Sequence, residues 1–415
     1  MTVAEQAKVL SFEGARRTVE QHASGLRPRG RELLPLLAAE GRVLAEPIHA
    51  DRDFPPFPRA TRDGYAVRSR DIQTTPIALE VVGEIRAGDA LPQLRLLEAG
   101  KAVAIMTGAA VPEGADAVVM LEYSSRAANR VTLERAVSAG ENVVPAGAEA
   151  RRGDQLLSPG TVLDPAAIAL VASVGRSRVV VYAKPRIAVL ATGDEIVDVD
   201  IPPGANQIRN SNSYSLAAQI QAAGGDPSIL PIAPDERRRL RELLGEGLDA
   251  DLLLISGGVS AGKYDLVEPL LAELGAEFFF TGSEIQPGRP VVFGRTPQEA
   301  ARFSYFFGLP GNPVSTMVTF ELFARPLVEA LCGRMPRSLV FLHARLKTAI
   351  RVKTGLKRFL PARLSGQFEA SEVELVSWQG SGDIAAVARG NCYVVVPPER
   401  DRIDTGEWVA VLLRS

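Results

Sequence analysis

The sequence predicts a multidomain α/β protein with a central, doubly wound and mostly parallel sheet. The chain has 415 residues, which at about 150 residues per domain suggests about three domains. Residues 185–332 alternate short, almost fully apolar runs with amphipathic segments. That alternation is typical of parallel strands covered by helices on both faces. The flanking segments instead carry short runs that are typical of smaller β structures.

Composition and charge are those of an ordinary globular protein, with 23% charged residues, 46% hydrophobic residues and a net charge of −2. The charge argues against a nucleic-acid partner, which would need a basic footprint. No run approaches the roughly 18 apolar residues of a membrane span, and Met1–Val9 lacks a secretory apolar core. Two distant cysteines and three histidines favour a reducing cytoplasm and predict no zinc site, so a catalytic metal would use oxygen ligands, as Mg²⁺ does.

Changes in the spacing of apolar and turn residues along the sequence divide the chain into four predicted domains. A mixed helical linking domain is interrupted by a β-rich insert domain, and an α/β domain and a small C-terminal β domain follow. The prolines of Asp53–Arg59 cannot continue a helix and mark the start of the insert. The predicted bounds are 1–52 and 144–184 for the linking domain, 53–143 for the insert, 185–333 for the α/β domain and 334–415 for the C-terminal domain.

The linking domain is predicted to be largely helical. Residues 6–24 and 32–46 carry apolar residues at helical spacing. A later helix is predicted over Asp164–Ser173, with Asp164 as its N-cap and Pro165 in its first position. The helix over 32–46 is predicted to bury Leu33, Leu36, Leu37, Val43 and Leu44.

Short strands are predicted in the insert and in the C-terminal domain. Each is an apolar or β-branched run bounded by Gly, Pro or polar residues. In the insert they cover Ile77–Val82, Ala102–Met106, Ala117–Met120 and Arg130–Leu133. In the C-terminal domain they cover Val340–Ala344, Val373–Val376, Cys392–Val396 and Trp408–Leu412.

The α/β domain is predicted to alternate strands with helices, so that most of its strands run parallel. The predicted strands are Arg186–Thr192, Ser228–Ile232, Asp251–Ser256, Glu277–Phe280, Val291–Phe293 and Phe303–Phe307. The predicted helices are Asn212–Ala223, Asp235–Leu248, Asp265–Leu274 and Pro313–Leu331. Ligands of such folds bind in the loops beyond the carboxyl ends of the strands.

Three of these loops carry glycines together with small polar residues or carboxylates. They begin after Leu190, Ile255 and Leu309. The Ser256–Ser260 turn is a candidate oxyanion cradle, because a Gly-rich backbone can point several N–H groups at one spot beside a helix start. It has neither the Walker nor the Rossmann glycine spacing. The candidate substrate-binding residues in these loops are Ser256, Gly257, Gly258, Ser260, Pro310, Gly311, Asn312 and Ser315.

Each charged residue near the same loops could have either a role in a binding site or an ordinary structural or surface role. Glu195, Asp235 and Asp265 could coordinate Mg²⁺ beside a phosphate. Asp235 and Asp265 could equally cap helices, and Glu195 could be a solvated loop residue. Arg289, on a stiff Pro-Gly-Arg-Pro turn, suits bidentate oxyanion binding or is an ordinary surface arginine. Asp63 lies in a turn after the proline segment, and this could be part of a site or only a turn.

These motifs, in this order, resemble those of the molybdopterin molybdotransferase family, the molybdenum insertases, which include the C-terminal domain of gephyrin. The resemblance covers nearly the whole chain, and Thr107–Val119 and Ser256–Asp265 are its most specific parts. The matching motifs are Arg62–Val67, Met106–Val119, Ala191–Glu195, Asn210–Asn212, Ser256–Gly262 with Asp265, Pro287–Pro290, Gly308–Ser315 and Gln379–Gly382.

The resemblance implies a cytoplasmic transferase that inserts molybdate into adenylylated molybdopterin, with Mg²⁺-dependent cleavage and release of AMP. It also implies a head-to-tail homodimer and a molybdopterin adenylyltransferase as a possible partner. The catalytic residues that it implies are Asp63, Thr107, Glu195, Asp235 and Asp265, of which the last three would serve the metal. Ser381 would lie near the cleft, and the first two would reach it from the partner subunit.

Four departures from the family pattern and two other functions remain open. Arg62 and Asn210 stand where the family commonly has Met and Asp, and Gln286 and Arg289 stand where lysines are common. Asn210 carries no charge, which weakens a direct metal role, and Gln286 weakens an anion clamp. A nucleotide pyrophosphatase on the same α/β domain would need no molybdate, and a non-catalytic scaffold would not need the carboxylates. Asp63, Glu195, Asp235 and Asp265 are all present, which argues against the scaffold and favours the insertase.

Overall fold

The computed structural model describes residues 8–89, 96–259, 266–298, 302–335, 338–367 and 370–414. Within these ranges the chain forms three six-stranded sheets, joined by smaller two-stranded ones. None of the helices in the described part of the chain is long and apolar enough to cross a membrane.

A linking region of short strand pairs and two helices flanks the insert. Its helices are α1 (Phe12–Gly25) and α2 (Pro165–Ser173). Helix α2 begins as predicted, because the Asp164 carboxylate accepts a hydrogen bond from the Ala167 N–H at 2.8 Å. The strand pairs are Val9–Leu10 with Gly282–Ser283, Arg31–Pro35 with Arg178–Tyr182, Ile48–His49 with Gln155–Leu157, and Arg59–Ala60 with Val143–Val144.

The predicted helix over 32–46 is wrong. Arg31–Pro35 is a strand, and Leu36–Ala39 is a short 3-10 helix. Pro35 has no N–H to donate within an α-helix, and the strand satisfies its backbone groups by pairing across the linking region. Of the predicted core residues, Leu36, Val43 and Leu44 are buried or half-buried, whereas Leu33 and Leu37 are 55% and 84% exposed.

The insert forms a six-stranded sheet in which all four predicted strands are present. Its strand order is Ala117–Met120, Gly64–Val67, Lys101–Ile105, Ile77–Ile85, Arg130–Leu133 and Ser124–Ala127. Short 3-10 helices cover Ser69–Ile72 and Leu121–Tyr123. Successive residues enter different apolar clusters, with Tyr65 and Val67 in one and Ala66 in the other. Both faces of this sheet are therefore covered.

The central sheet is mostly parallel, as predicted, with two antiparallel pairings on one side. Its strand order is Asp226–Ile229, Arg186–Ala191, Leu252–Ser256, Arg302–Leu309, Val292–Gln298 and Glu277–Phe280. The first four strands are parallel, as predicted, and the last two run antiparallel to their neighbours. Three residues separate Gln298 from Arg302, too few for the crossover that a parallel pair requires.

Helices cover both faces of the central sheet. They are α3 (Ser211–Ala223), α4 (Arg237–Leu248), α5 (Val267–Glu273), α6 (Pro313–Thr319) and α7 (Arg325–Leu331). Helices α1, α3, α6 and α7 share one apolar cluster with Ile187 and Val189, while α4 and α5 share another with Ala188 and Leu190. The π-helical turn Phe320–Ala324 joins α6 to α7, so the predicted long helical stretch is confirmed.

The C-terminal strands close into a small barrel. Their order is Lys357–Ser365, Glu372–Leu375, Phe341–Leu346, Trp408–Leu413 and Cys392–Val396, and the last pairs back with the first. Smaller elements are Ile350–Arg351 paired with Arg402–Ile403, the two-residue strands Ile196–Val197 and Ile208–Arg209 in the α/β domain, and helix α8 (Ile384–Arg389). The strand Ile285–Gln286 pairs in parallel with Lys357 and Arg358, which joins the barrel to the α/β domain.

Candidate functional site

Three of the predicted loops meet at one edge of the central sheet. Ala191, Ser256 and Leu309 are direct neighbours in adjacent parallel strands, at or next to the carboxyl end of each. The loops that follow them therefore leave the sheet side by side, where ligands of such folds bind. Ser260 and Asp265, which the sequence assigns to the middle loop, lie outside the described residues.

The Gly257–Gly258 turn has a conformation that favours glycine. Its φ angles are +95° and +64°, where other residues are strained. A Cβ on Gly257 would lie 2.8 Å from the carbonyl oxygen of Thr192. The Gly257 N–H donates to the Leu309 carbonyl oxygen at 3.1 Å. That N–H fixes the turn to the next loop, so a bound oxyanion would have to use other groups of the cradle.

The loop before α6 is held from two sides. The Thr316 hydroxyl donates to the Pro310 carbonyl oxygen at 2.5 Å. The Val314 N–H donates to the carbonyl oxygen of Ser381 at 3.0 Å, so Ser381 of the barrel domain lies beside this loop. Ser315 is 4% exposed and lies in the first turn of α6. The neighbouring residues Gly311 and Asn312 are exposed at the surface of the same loop.

Asn212, near the start of α3, connects two of these loops. Its Nδ2 donates to the Ser256 hydroxyl oxygen at 2.8 Å and to the Gly311 carbonyl oxygen at 2.7 Å. A carbonyl oxygen can only accept, so this contact sets which way the amide points. The sequence places Asn212 in a family motif but assigns it no role. Its contacts join segments that are far apart in the sequence, so they could not be predicted from the spacing of neighbouring residues.

Asn210 in the same motif has a structural role. It is 3% exposed, and its side chain caps α3 by accepting a hydrogen bond from the Ser213 N–H at 3.2 Å. Its amide oxygen is therefore committed to the helix start. This contact agrees with the expectation that the loss of charge at this position weakens a direct metal role.

Arg289 lies on a turn that packs against α6, in which Pro287 and Gly288 are buried. The turn contains a cis bond between Gln286 and Pro287, and Gly288 has a φ angle of +103°. A Cβ on Gly288 would collide with the Thr319 methyl group and lie 3.6 Å from the Ser315 carbonyl oxygen. The backbone of the turn is thus seated on α6 beside Ser315, while Arg289 itself is exposed.

Three carboxylates lie close together at the same sheet edge. The Asp235 N–H donates to Asp194 Oδ1 at 3.0 Å. Burial, followed by the negative charges of Asp194 and Glu195, raises the pKa of the Asp235 carboxyl. Helix α4 begins at Arg237 after Glu236, which makes no side-chain cap. The alternative that Asp235 caps this helix therefore finds no support.

Carboxylate oxygens are the donors that Mg²⁺ prefers, and a divalent cation would relieve the repulsion among Asp194, Glu195 and Asp235. Among the described residues, no group of three or more His, Cys, Asp or Glu side chains is arranged to hold a metal ion. The described carboxylates therefore fit such an ion by their chemistry and supply only part of a site. Sequence reasoning passes over Asp194, although it precedes Glu195 in the same motif.

Asp63 and Thr107 form a separate pair at the edge of the insert sheet. Gly64 and Ile105 are paired across neighbouring strands, which brings the residues just beyond them together. The N–H and the hydroxyl of Thr107 both donate to Asp63 Oδ1, and these bonds lower the pKa of the exposed Asp63 carboxyl. Arg62 is exposed, and its guanidinium donates to the Thr61 carbonyl oxygen at 3.3 Å.

Comparison with known proteins identifies the same regions. Residues 10–175 match a family profile described as the MoeA N-terminal region (domain I and II). Residues 188–330 match a probable molybdopterin binding domain, and residues 343–413 match the MoeA C-terminal region (domain IV). These profiles together account for most of the chain.

Similar proteins extend over almost the full length. A molybdopterin molybdenumtransferase of a Nostoc species is 36% identical over 390 residues, covering 92% of this chain and 88% of the relative. One from Haemophilus influenzae is 32% identical, covering 92% and 94%. A molybdopterin biosynthesis MoeA protein from Pyrococcus horikoshii superposes with a TM-score of 0.72 at 32% identity, covering 98% and 99%. A second structure of that name, also from P. horikoshii, gives a TM-score of 0.79 at 27% identity, covering 98% and 100%.

Proposed function

The chain belongs to the molybdopterin molybdenumtransferase family, and from this premise we propose that it inserts molybdate into adenylylated molybdopterin in the cytoplasm. In this reaction the bond between the adenylyl and pterin phosphates is cleaved, AMP leaves, and molybdenum enters the dithiolene of the pterin. The protein is accordingly a transferase of molybdenum cofactor biosynthesis.

The observation that carries the proposal is the meeting of several small-residue loops at one sheet edge. The Gly257–Gly258 turn, the loop before α6, the turn of Arg289 and the backbone of Ser381 are connected there through the contacts described above. A phosphoanhydride and molybdate are both oxyanions, and each needs N–H donors and cations at short range. The loops supply a backbone cradle, and Arg289 would supply a guanidinium at its rim.

The proposed reaction does not require a nucleophilic side chain of the protein. Phosphoryl transfer is promoted mainly by positioning and by neutralising charge, and the sulfur ligands of molybdenum belong to the pterin. Within this scheme Ser256, Gly258, Ser315 and Ser381 would orient the phosphates. Gly257, Pro310, Gly311 and Asn312 would shape the walls. Ser260, outside the described residues, is proposed for the cradle on sequence grounds.

Mg²⁺ is proposed as the metal of the reaction. When bound it would neutralise phosphate charge, and Glu195 and Asp235 would hold it together with Asp265, whose part in this rests on the sequence. Asp194 would steady Asp235 through the backbone bond at 3.0 Å. Burial is the main cause of the raised pKa of Asp235, and the smaller contribution from the charges of Asp194 and Glu195 supports this arrangement, because a divalent cation would stabilise neighbouring carboxylates.

Asp63 and Thr107 are proposed to complete the site from the insert of a second subunit in a homodimer. Their support is the paired hydrogen bonds that hold an ionised carboxylate at the exposed edge of the insert sheet. A molybdopterin adenylyltransferase, which would deliver the adenylylated substrate, is the proposed protein partner. The division into a linking domain (1–52 and 144–184), an insert (53–143), an α/β domain (185–333) and a C-terminal domain (334–415) is proposed from the sequence pattern.

The test is AMP release from adenylylated molybdopterin by the purified protein, with and without molybdate and with and without Mg²⁺. Release that requires both supports the proposal. Release that ignores molybdate would mean a nucleotide pyrophosphatase, and absence of both binding and release would mean a scaffold. Asp164→Asn, which alters a helix cap in the linking region, is the matched control for carboxylate variants of the site.

A further inference from the structure

We infer that Asn212 is a positioning residue for the oxyanion cradle, holding the Gly257–Gly258 turn and the loop before α6 at a set separation before substrate binds. The inference rests on the proposed function and deepens it. Asn212 would not touch the reacting atoms. It would act through the two loops that do.

The amide of Asn212 reaches three different parts of the fold. It starts from α3 and donates to the Ser256 hydroxyl at the end of one strand and to the Gly311 carbonyl oxygen beyond the end of the next. A longer contact of 3.4 Å leads to the hydroxyl of Thr316 in α6. Ser256 is 4% exposed and Thr316 is fully buried, so water competes weakly for these bonds.

Helix α3 does not need the Asn212 side chain for its own start. Asn210 already caps the helix by accepting from the Ser213 N–H. The Asn212 side chain is turned away from its own backbone, toward the two loops. A residue that served only the helix would make bonds within its first turn. The contacts of Asn212 join segments 44 and 99 residues away instead.

The two loops require a support beyond the strand ladder. The last backbone bond between them is the one from the Gly257 N–H to the Leu309 carbonyl oxygen. Gly311 lies two residues further out, where an added Cβ would lie 3.7 Å from the Gly257 Cα. The hydrogen bond from Asn212 to the Gly311 carbonyl oxygen holds the loop at that outer point. Without it, the Thr316 and Ser381 bonds would still hold this loop to α6 and to the barrel. Its connection to the Gly257–Gly258 turn would then depend on the Gly257–Leu309 bond and on glycine backbone, which is the most freely rotating kind.

Loss of this support should weaken substrate binding more than turnover. The cradle would hold a phosphate in both the ground state and the transition state, and the loss of such uniform binding raises KM while leaving kcat nearly unchanged. We expect Asn212→Ala to raise KM for adenylylated molybdopterin about tenfold, because the loss of one or two hydrogen bonds that hold the cradle weakens binding by about that factor.

Two variants and one control make the test. Asn212→Asp has the same shape but places an oxygen against the Gly311 carbonyl oxygen, so it should fail to restore KM. Asn391→Ala in the barrel removes a comparable pair of bonds, to the N–H of Leu364 at 2.8 Å and to its carbonyl oxygen at 3.0 Å. It should lower Tm and leave KM at the wild-type value. Asn212 variants that lower Tm but keep the wild-type KM would overturn the inference.

Hydrogen exchange separates this inference from the proposed function. In the free protein, Asn212→Ala should speed amide exchange in residues 256–258 and 309–316 relative to the rest of the central sheet, whereas Asn391→Ala should not. If wild-type protein released no AMP but the exchange changed as expected, the proposed function would fall and the positioning role would stand. Unchanged exchange in those loops would refute the positioning role, whatever the activity.

Discussion

Thr107 donates two hydrogen bonds to a single carboxylate oxygen of Asp63, from its backbone N–H at 2.6 Å and from its hydroxyl at 2.8 Å. Both bonds favour the ionised carboxylate and lower the pKa of Asp63. A carboxyl with a lowered pKa stabilises the fold above the ordinary aspartate range and loses that contribution as the pH falls through its folded pKa. The pair therefore keeps a defined negative charge at the exposed edge of the insert sheet.

Thr107→Val should raise the pKa of Asp63 toward its ordinary value. The substitution keeps the backbone N–H and removes the hydroxyl, the second contributor to the shift. Carbon-detected NMR titration of the Asp63 carboxyl would measure the change, with wild-type protein as the reference. An identical titration midpoint in the two proteins would show that the hydroxyl bond does not act on the charge.

Asp63→Ala should lower molybdate-dependent AMP release by at least about tenfold while leaving Tm near the wild-type value. The side chain is exposed, so its removal creates no cavity. Asp71→Ala, in the same sheet region, is a control carboxylate outside the proposed site. Full turnover by Asp63→Ala would exclude the proposed contribution of the insert to the site.

Asp235→Asn should raise Tm in metal-free buffer near neutral pH. The pKa of Asp235 is raised mainly by burial and then by Asp194 and Glu195. A carboxyl with a raised pKa favours the fold at low pH and loses that contribution as the pH rises through its folded pKa. Asparagine removes the penalty, so the stabilisation should fade in buffers near pH 4.

The same variant should lose at least about 100-fold in Mg²⁺-dependent turnover, since even the outer partners of metal ligands commonly contribute 10- to 100-fold. Differential scanning calorimetry in metal-free buffer would measure the change in Tm, and AMP release at a series of Mg²⁺ concentrations would measure the loss of turnover. Asp164→Asn keeps an oxygen that can cap α2, so it should leave both Tm and turnover near the wild-type values. A Tm for Asp235→Asn below that of wild type in metal-free buffer would contradict the proposed repulsion.

Local patterns predicted the elements whose boundaries are set by local chemistry. The Asp164 cap is one such element, and the strand Ala117–Met120 has the bounds expected from its run of apolar residues. The strand Lys357–Ser365 was missed because it mixes basic residues with Pro361 and belongs to a closed barrel. Its identity depends on partners far along the chain, and no window of neighbouring residues contains them.

The candidate site shows the same limit. The carboxyl-end loops could be predicted because parallel strands fix which ends meet. The contact between Asn212 and Gly311 could not, since it spans 99 residues and depends on side-chain direction. The role of Asp194 could not be predicted either, since its bond to the backbone N–H of Asp235 joins residues that are 41 positions apart.

Gly257→Ala should destabilise the protein by about 2–4 kcal/mol, combining backbone strain at positive φ with a close approach to the Thr192 carbonyl oxygen. Gly355→Ala is the matched control, because Gly355 has a φ of +100° and open space around its Cβ position. It should cost only about 1 kcal/mol. Urea unfolding would compare the two, and equal losses would mean that the Thr192 contact adds nothing.

Both cysteines should be unreactive in the folded protein. Burial raises the pKa of Cys332 to about 12 and that of Cys392 to about 11, so each thiol stays protonated at pH 8. A chromogenic disulfide reagent at pH 8 should label neither in native protein and both in urea. Rapid labelling of native protein would show that one of these sites opens readily.

The strand that carries Ile285 and Gln286 runs straight into the turn of Arg289 and is at the same time an edge strand of the barrel, paired with Lys357 and Arg358. Arg289 therefore follows directly on a strand that is paired with the barrel, and it does not lie on a loose surface loop. Because Gly288 of the same turn packs against Thr319 of α6, Arg289 is supported by both the barrel and the α/β domain. Loss of the barrel would remove one of these two supports.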